Sequence, residues 1–179
     1  MYITTLAEPA SEPVSVQAGK AFLRIDFEGE DMAVASLIAA ARNRVEAETG
    51  VCLVERTVKL SLPCWPPSRR YAHKIDLPIG PVSSLVSVHV DGEDLTHRFT
   101  LQKGRPDVLR FRGAVLPYQD RQIEIVVRAG FGADESYVPA DLKLAVKMLA
   151  AQAYQRGEGG VDLSKEVAVL LAPWRRVSL

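Results

Sequence analysis

The segment Tyr137–Arg156, YVPADLKLAVKMLAAQAYQR, constrains this chain most, because it reads as a helix with too little polar surface to lie freely in water. Pro139 suits the first helical position, where a missing N–H costs nothing, and Gly157 suits the left-handed residue that closes a helix. At 100° per residue, Val138, Leu142, Ala145, Val146, Leu149 and Ala153 fall on one side. Leu144, Met148 and Ala151 form a second cluster pointing elsewhere, and only Lys143, Lys147 and Tyr154 make a wet stripe. A helix apolar on two faces is buried on more than one side, within its own domain or partly against another subunit.

A second long helix is expected at Met32–Thr49, closed by Gly50, with Val34, Leu37, Ile38, Ala41 and Val45 inward and Arg42, Asn43 and Glu46 outward. Ser15 caps a shorter one, Val16–Ile25, in which Ala18, Phe22 and Ile25 share a face and Gly19 is a weakness. Residues 1–14, with Pro9 and Pro13, read as an extended arm that a partner would order.

The middle of the chain changes period from 3.6 to 2. Val54–Leu62 alternates, with Val54, Val58, Leu60 and Leu62 on one face. Three prolines between Pro63 and Arg70 end that strand in a loop, with Trp65 folded onto the sheet or onto a neighbour. Lys74–Leu77 is a short strand, and Val82–Val90 a longer one with Val82, Val86, Val88 and Val90 in phase. Asp91-Gly92 reverses the chain, Phe99–Gln102 and Val108–Phe111 make a hairpin, and Gln122–Arg128 is the last strand. These strands together suggest an antiparallel meander. After Gly157 a Gly-rich hinge leads to a last helix, capped by Ser164 and ended by Pro173, and to a mobile tail bearing Trp174, Arg175 and Arg176.

The fold class that follows is α+β: a small helical bundle formed by the N- and C-terminal helices, with an inserted antiparallel β-sheet region. One domain spans 1–179, with the arm at 1–14, helices at 15–50, the β insertion at 52–130, the main helix at 137–156 and a C-terminal helix and tail at 164–179. A chain of 179 residues can bury a core that needs no disulfide or metal. Lys plus Arg equals Asp plus Glu, 22 each, so the chain as a whole has no electrostatic reason to grip nucleic acid tightly. No apolar run approaches the ~20 residues of a membrane span, and the start lacks the basic and apolar stretches of a secretory signal, so synthesis in the cytoplasm is expected. Cys52 and Cys64 bracket a strand that would hold them on the order of 40 Å apart, which makes two free thiols the expectation.

Little in the chain announces a reaction. The three histidines are His73, His89 and His97. His89 and Asp91 could face one way, but a metal site needs a third ligand, and surface histidines account for the other two. No nucleophile-elbow, Walker-type, HExxH or EF-hand pattern is present. Arg69-Arg70, Lys143 with Lys147, and Arg175-Arg176 are the basic candidates, which matter only if they converge or are multiplied in a ring. Trp174 beside arginine is either an interface anchor or a side chain tucked back onto its own helices.

Six segments in order resemble the head–tail connector, or adaptor, family of long-tailed bacteriophages and phage-derived gene transfer agents: AGKAFLRID from Ala18, LIAAARNRVEAETG from Leu37, LPIGPVSSLVSV from Leu77, RAGFG from Arg128, VPADLKLAVKMLAAQAY from Val138 and LLAPWRR from Leu170. Two positions depart from the family pattern: Trp174, where Tyr is commoner, and Val51, where a basic residue is. The resemblance implies a structural virion protein at the head–tail junction, with no catalysis and no cofactor. It implies a ring of twelve copies docked on the portal protein, a stopper or tail terminator on the tail side, and double-stranded DNA passing through the centre. Leu170, Leu171, Pro173, Trp174, Arg175 and Arg176 are then the candidates for portal attachment, and Leu144, Met148 and Ala151 for the contact between subunits. The competing reading is a metal- or small-ligand-binding enzyme with a pocket in the β region around Trp65, His73 and His89.

Overall fold

The computed structural model describes residues 1–65, 73–113, 120–156 and 163–175. It combines helices with antiparallel sheets, as an α+β chain should. By contacts the chain, read above as one domain, divides into two compact units: Met1–Glu8 with Glu55–Gly130, and Pro9–Val54 with Phe131–Leu179. Among the described residues the first unit holds every strand and the second every α-helix.

The helical unit contains α1 (Val16–Leu23), α2 (Asp31–Thr49), α3 (Ala140–Arg156) and α4 (Lys165–Leu171). Ser15 caps α1 by accepting the Ala18 amide, and Gly50 ends α2 at φ 68°, its N–H on the Glu46 carbonyl. Helix α3 begins one residue later than its proline suggests, with the Pro139 carbonyl accepting the Lys143 amide at 3.1 Å; Gly157 lies outside the described residues. The core is built from Val34, Ile38, Ala41 and Val45 of α2 against Leu142, Ala145, Val146 and Leu149 of α3, closed by Val167 and Leu171 of α4. Gly19 is no mere weakness: a Cβ there would lie 2.8 Å from Ile38 Cδ1, so its bareness lets α1 approach α2.

Three expectations fail in this unit. Phe22 is exposed, because α1 stops at Leu23 and Arg24 takes a left-handed conformation that redirects the chain. Arg42 and Glu46 are turned inward rather than solvated: Glu12 meets the Arg42 Nε at 2.8 Å, and Glu46 lies 3.6 Å from its Nη1 and accepts the Leu53 amide at 2.8 Å. Val54, expected on a strand face, belongs with Leu53 to the helical core.

The β unit contains β1 (Tyr2–Thr5), β2 (Arg56–Leu62), β3 (Lys74–Asp76), β4 (Val82–Val90), β5 (Glu93–Asp94), β6 (Phe99–Gln102), β7 (Val108–Phe111) and β8 (Ile123–Ala129). They form two antiparallel sheets, ordered β1-β2-β8-β4-β5 and β3-β7-β6. The arrangement is not a meander: β8, last in the chain, lies between β2 and β4, and β7 lies between β3 and β6. Its central place explains why β8 alternates so cleanly, with Ile123, Ile125, Val127 and Ala129 all inward. Asp91 and Gly92, both at positive φ, make the tight turn into β5.

Val86 does not share the inward phase of β4. Register shifts between Val82 and Ser84 and between Leu85 and Ser87 insert an extra residue each, and Val86, the second, is turned out to solvent. The supposed arm is also partly sheet, because Tyr2–Thr5 pairs with Val58–Ser61 and needs no partner to order it. Residues from Pro9 onward go with the helices, where Val14 is buried.

Candidate interaction surfaces

The C-terminal segment is fastened rather than loose. Ser164 caps α4 by accepting the Val167 amide, and Glu166 is held below the usual carboxylate range by its own backbone amide and then by Ser164. Val167 and Leu171, one turn apart, point into the core. A 3-10 turn, Ala172–Trp174, follows, and Trp174 packs edge-to-face on Phe131 with centroids 5.7 Å apart. The Arg175 guanidinium donates to Glu48. Of the six candidates for portal attachment, Leu171 is therefore interior, Trp174 and Leu170 are half-buried, and Pro173 and Arg175 are exposed. Arg176 and the hinge at 157–160 lie outside the described residues. Val169, which sequence inspection passed over, is an exposed apolar side chain of α4, at 73%. Its position half a turn from Val167 is the signal that could have found it.

The second cluster of α3 is only partly covered. Leu144 is 40% exposed, and Met148 and Ala151 are half-buried, with Met148 against the edge of the core. On the wet stripe the Lys143 ammonium donates to the Glu135 carbonyl at 3.2 Å. Glu135 also accepts the Ser15 amide at 2.9 Å, and Asp134, below its ordinary pKa through hydrogen bonds from the Ser136 hydroxyl and then its amide, caps the 3-10 turn ahead of α3. Gly132 is needed there for space, since a Cβ would stand 2.3 Å from Tyr137 Cγ.

The residues of the competing enzymatic reading do not form one cluster. Trp65 is buried against Phe111 and Phe99, at 5.3 and 6.1 Å between centroids, and the His73 carbonyl accepts the Phe111 amide. His89 belongs to the other sheet, opposite Asp94 and Glu124. Asp94 titrates below its ordinary range because the Thr96 hydroxyl and amide donate to it, with His89 and His97 adding smaller electrostatic help. Asp91, the proposed companion of His89, accepts the Gln122 amide at 3.0 Å. Among the described residues no group of three His, Cys, Asp or Glu is placed to hold a metal. Cys52 is buried and Cys64 exposed, and neither forms a disulfide.

Asp107 escaped sequence inspection. It is buried at the tip of the β6–β7 hairpin, accepting the Val82 amide at 2.7 Å and the Gly104 amide at 3.0 Å, while its carbonyl accepts from Leu77. Lys103 joins it by donating to the Val82 and Ser83 carbonyls. These bonds tie the hairpin to the start of β4 and make the site a structural clamp.

Solved structures with this fold carry the decisive information. A chain in "Neck of empty GTA particle computed with C6 symmetry" superposes with TM-score 0.85 and 28% identity, covering 100% of this chain and 97% of the other. Chains in "Virion of native gene transfer agent (GTA) particle" and "Neck of native GTA particle computed with C12 symmetry" give TM-scores of 0.84 and 0.79 at 27% and 26% identity, with the same coverage. This chain has the fold of a gene transfer agent neck protein. The likeness runs end to end in both directions, so the connector resemblance read from six short segments extends over the whole fold. No protein-family model and no curated protein sequence matches the chain.

Proposed function

We propose that the protein is a structural component of the neck of a phage-like particle: a head–tail connector that assembles as a ring, twelve copies on the portal, with double-stranded DNA passing through its centre. The observation that supports this reading is the full-length likeness to chains of gene transfer agent particles. The sixfold and twelvefold symmetries in which those necks were computed suit a ring, whose repeated contact joins two different patches of each subunit. No catalytic step is assigned. The four helices act as a small bundle that carries the contacts.

In this reading Leu144, with Met148 and Ala151 beside it, faces the next subunit, which would cover the apolar surface that α3 leaves open. The outward side of α4 and the turn after it meet the portal through Leu170, Pro173 and Arg175, while Leu171 and Trp174 hold that segment on its own unit. Removing everything after Gly160 is therefore a poor test, because it would strip Val167 and Leu171 from the core. Point changes are cleaner. Leu144→Asp should abolish ring assembly, and Val169→Asp should abolish portal binding, each leaving a folded monomer by circular dichroism. Electron microscopy of particles should show twelve copies in the layer below the portal; particles that lack the protein would end the connector reading.

A further inference from the structure

The net charge of zero conceals a division. The β unit carries 12 Lys and Arg against nine Asp and Glu, and the helical unit ten against 13. Within the β unit the two sheets treat their cations differently. On the five-stranded sheet Lys59 meets Glu124 at 3.3 Å, Arg121 meets Asp91 at 3.8 Å and Arg128 meets Glu55 at 2.7 Å. On and beside the three-stranded sheet Arg98, Arg110 and Arg112 are all exposed, and none has a carboxylate within ion-pair distance among the described residues.

Backbone register gathers these three. Ile75, Leu109, Phe99 and Phe111 point inward, so Lys74, Arg110 and Arg112 point out together. Lys74 is the register partner of Arg110 on this face. The Arg112 amide donates to the Arg98 carbonyl at 2.8 Å, which brings the third guanidinium alongside. Of the acids in this region, Asp107 is buried on amides, and Asp76 lies one row away, opposite Val108. Among the described residues, the exposed large apolar side chains of the β unit, from Met1 to Leu6 and at Val86, are all elsewhere. A stable contact between proteins wants an apolar centre inside a polar rim, and the described residues of this face offer none. Unpaired arginines with no apolar centre match phosphate, the group guanidinium reads best.

We infer that the outer face of β3-β7-β6, through Arg98, Arg110 and Arg112 with Lys74 opposite Arg110, contacts the phosphate backbone of duplex DNA. The inference rests on the connector reading and adds which surface of the subunit is turned to the DNA. Three phosphate contacts give weak, sequence-independent and salt-sensitive binding: affinity should fall by about 40-fold between roughly 50 and 200 mM salt. Such contacts hold DNA in place without arresting its passage.

The test is fluorescence anisotropy of the full-length protein with a labelled duplex of about 30 base pairs, long enough to span several phosphates along a groove. R98Q/R110Q/R112Q should lose at least tenfold in affinity at low salt and flatten the salt slope by about three units, while K143Q/K147Q/K165Q on the helical unit stays within about twofold. Each single substitution should remove about one unit of slope, so a misfolded triple variant leaves the inference testable. Absent binding by wild type at low salt, or equal losses in both triples, overturns it. So does a triple variant that keeps its DNA affinity but changes its sedimentation, which would make this face a contact between copies. If wild-type protein is present in purified particles while the β-sheet triple binds DNA normally, the DNA inference alone fails; if wild type is absent from particles, the connector reading fails first.

Discussion

The β unit and the helical unit are held together by different means, and each shows where its sequence could be read. The helical unit is a core of apolar helix faces that also encloses a cation, Arg42, between Glu12 and Glu46. The β unit depends on strand order and on a few bonds far apart in the chain: β8 between β2 and β4, the Trp65–Phe99–Phe111 cluster, and Asp107 on the Val82 amide 25 residues away. Helix formation is a local matter, whereas sheets are assembled from non-local pairings. Charge divides within the β unit instead: cations on the five-stranded sheet meet carboxylates, whereas Arg98, Arg110 and Arg112 are exposed with no carboxylate in ion-pair reach among the described residues.

The two tryptophans, one in each unit, allow the comparison to be attacked directly. Leu149→Ala and Ile125→Ala each remove a fully buried side chain and should cost about 3 kcal/mol. Followed in urea, Leu149→Ala should move the midpoint read by Trp174 in a Trp65→Phe background, and Ile125→Ala the midpoint read by Trp65 in a Trp174→Phe background. Equal movement of both reporters in both variants would mean that the units unfold as one, and the contrast would lose its energetic meaning.

A smaller effect isolates the clamp. Asp107→Ala leaves the buried amide of Val82 without its acceptor and should cost about 2 kcal/mol by the Trp65 midpoint. A loss below the scatter of replicate titrations would show that strand pairing alone positions the β6–β7 hairpin. Smaller again, Ser164→Ala removes the N-cap of α4 and should cost about 1 kcal/mol by Trp174, the side chain that α4 holds against Phe131.

The smallest expected effect is a slope with pH. Asp94 in the β unit and Asp134 and Glu166 in the helical unit all have folded pKa values below their ordinary ones. Each therefore binds a proton more readily when unfolded, so its contribution is complete above the ordinary carboxylate pKa and is lost as pH falls through the depressed folded value. Acid titration should lower the Trp174 midpoint less in Ser164→Ala than in the parent, because part of what depresses Glu166 is gone. Identical acid slopes would remove Glu166 from the account.

Many boundaries were legible because their causes are local. Ser15 and Ser164 as caps, Gly50 at positive φ, the Asp91-Gly92 reversal and the two long helices each depend on residues within a turn or two of one another. Of the candidate surfaces, the sequence marked the second face of α3, and its partial exposure in Leu144, Met148 and Ala151 agrees with that periodicity. For Trp174 the sequence left an interface anchor and a side chain packed back on its own helices as alternatives, because nothing within LLAPWRR tells Leu171 and Trp174 that Phe131 and the helical core are waiting for them.

By itself, then, the amino-acid order determined most of the stretches that coil or extend and many of their ends, since propensity, caps and turns act over a few residues. Only the tertiary structure decided that β8 enters between β2 and β4, that Val86 is thrown outward at a bulge, that Arg42 is interior, and that Arg98, Arg110 and Arg112 share a face. Those outcomes turn on which distant segments pair and in what register, and a one-residue shift in register reverses every side chain it touches.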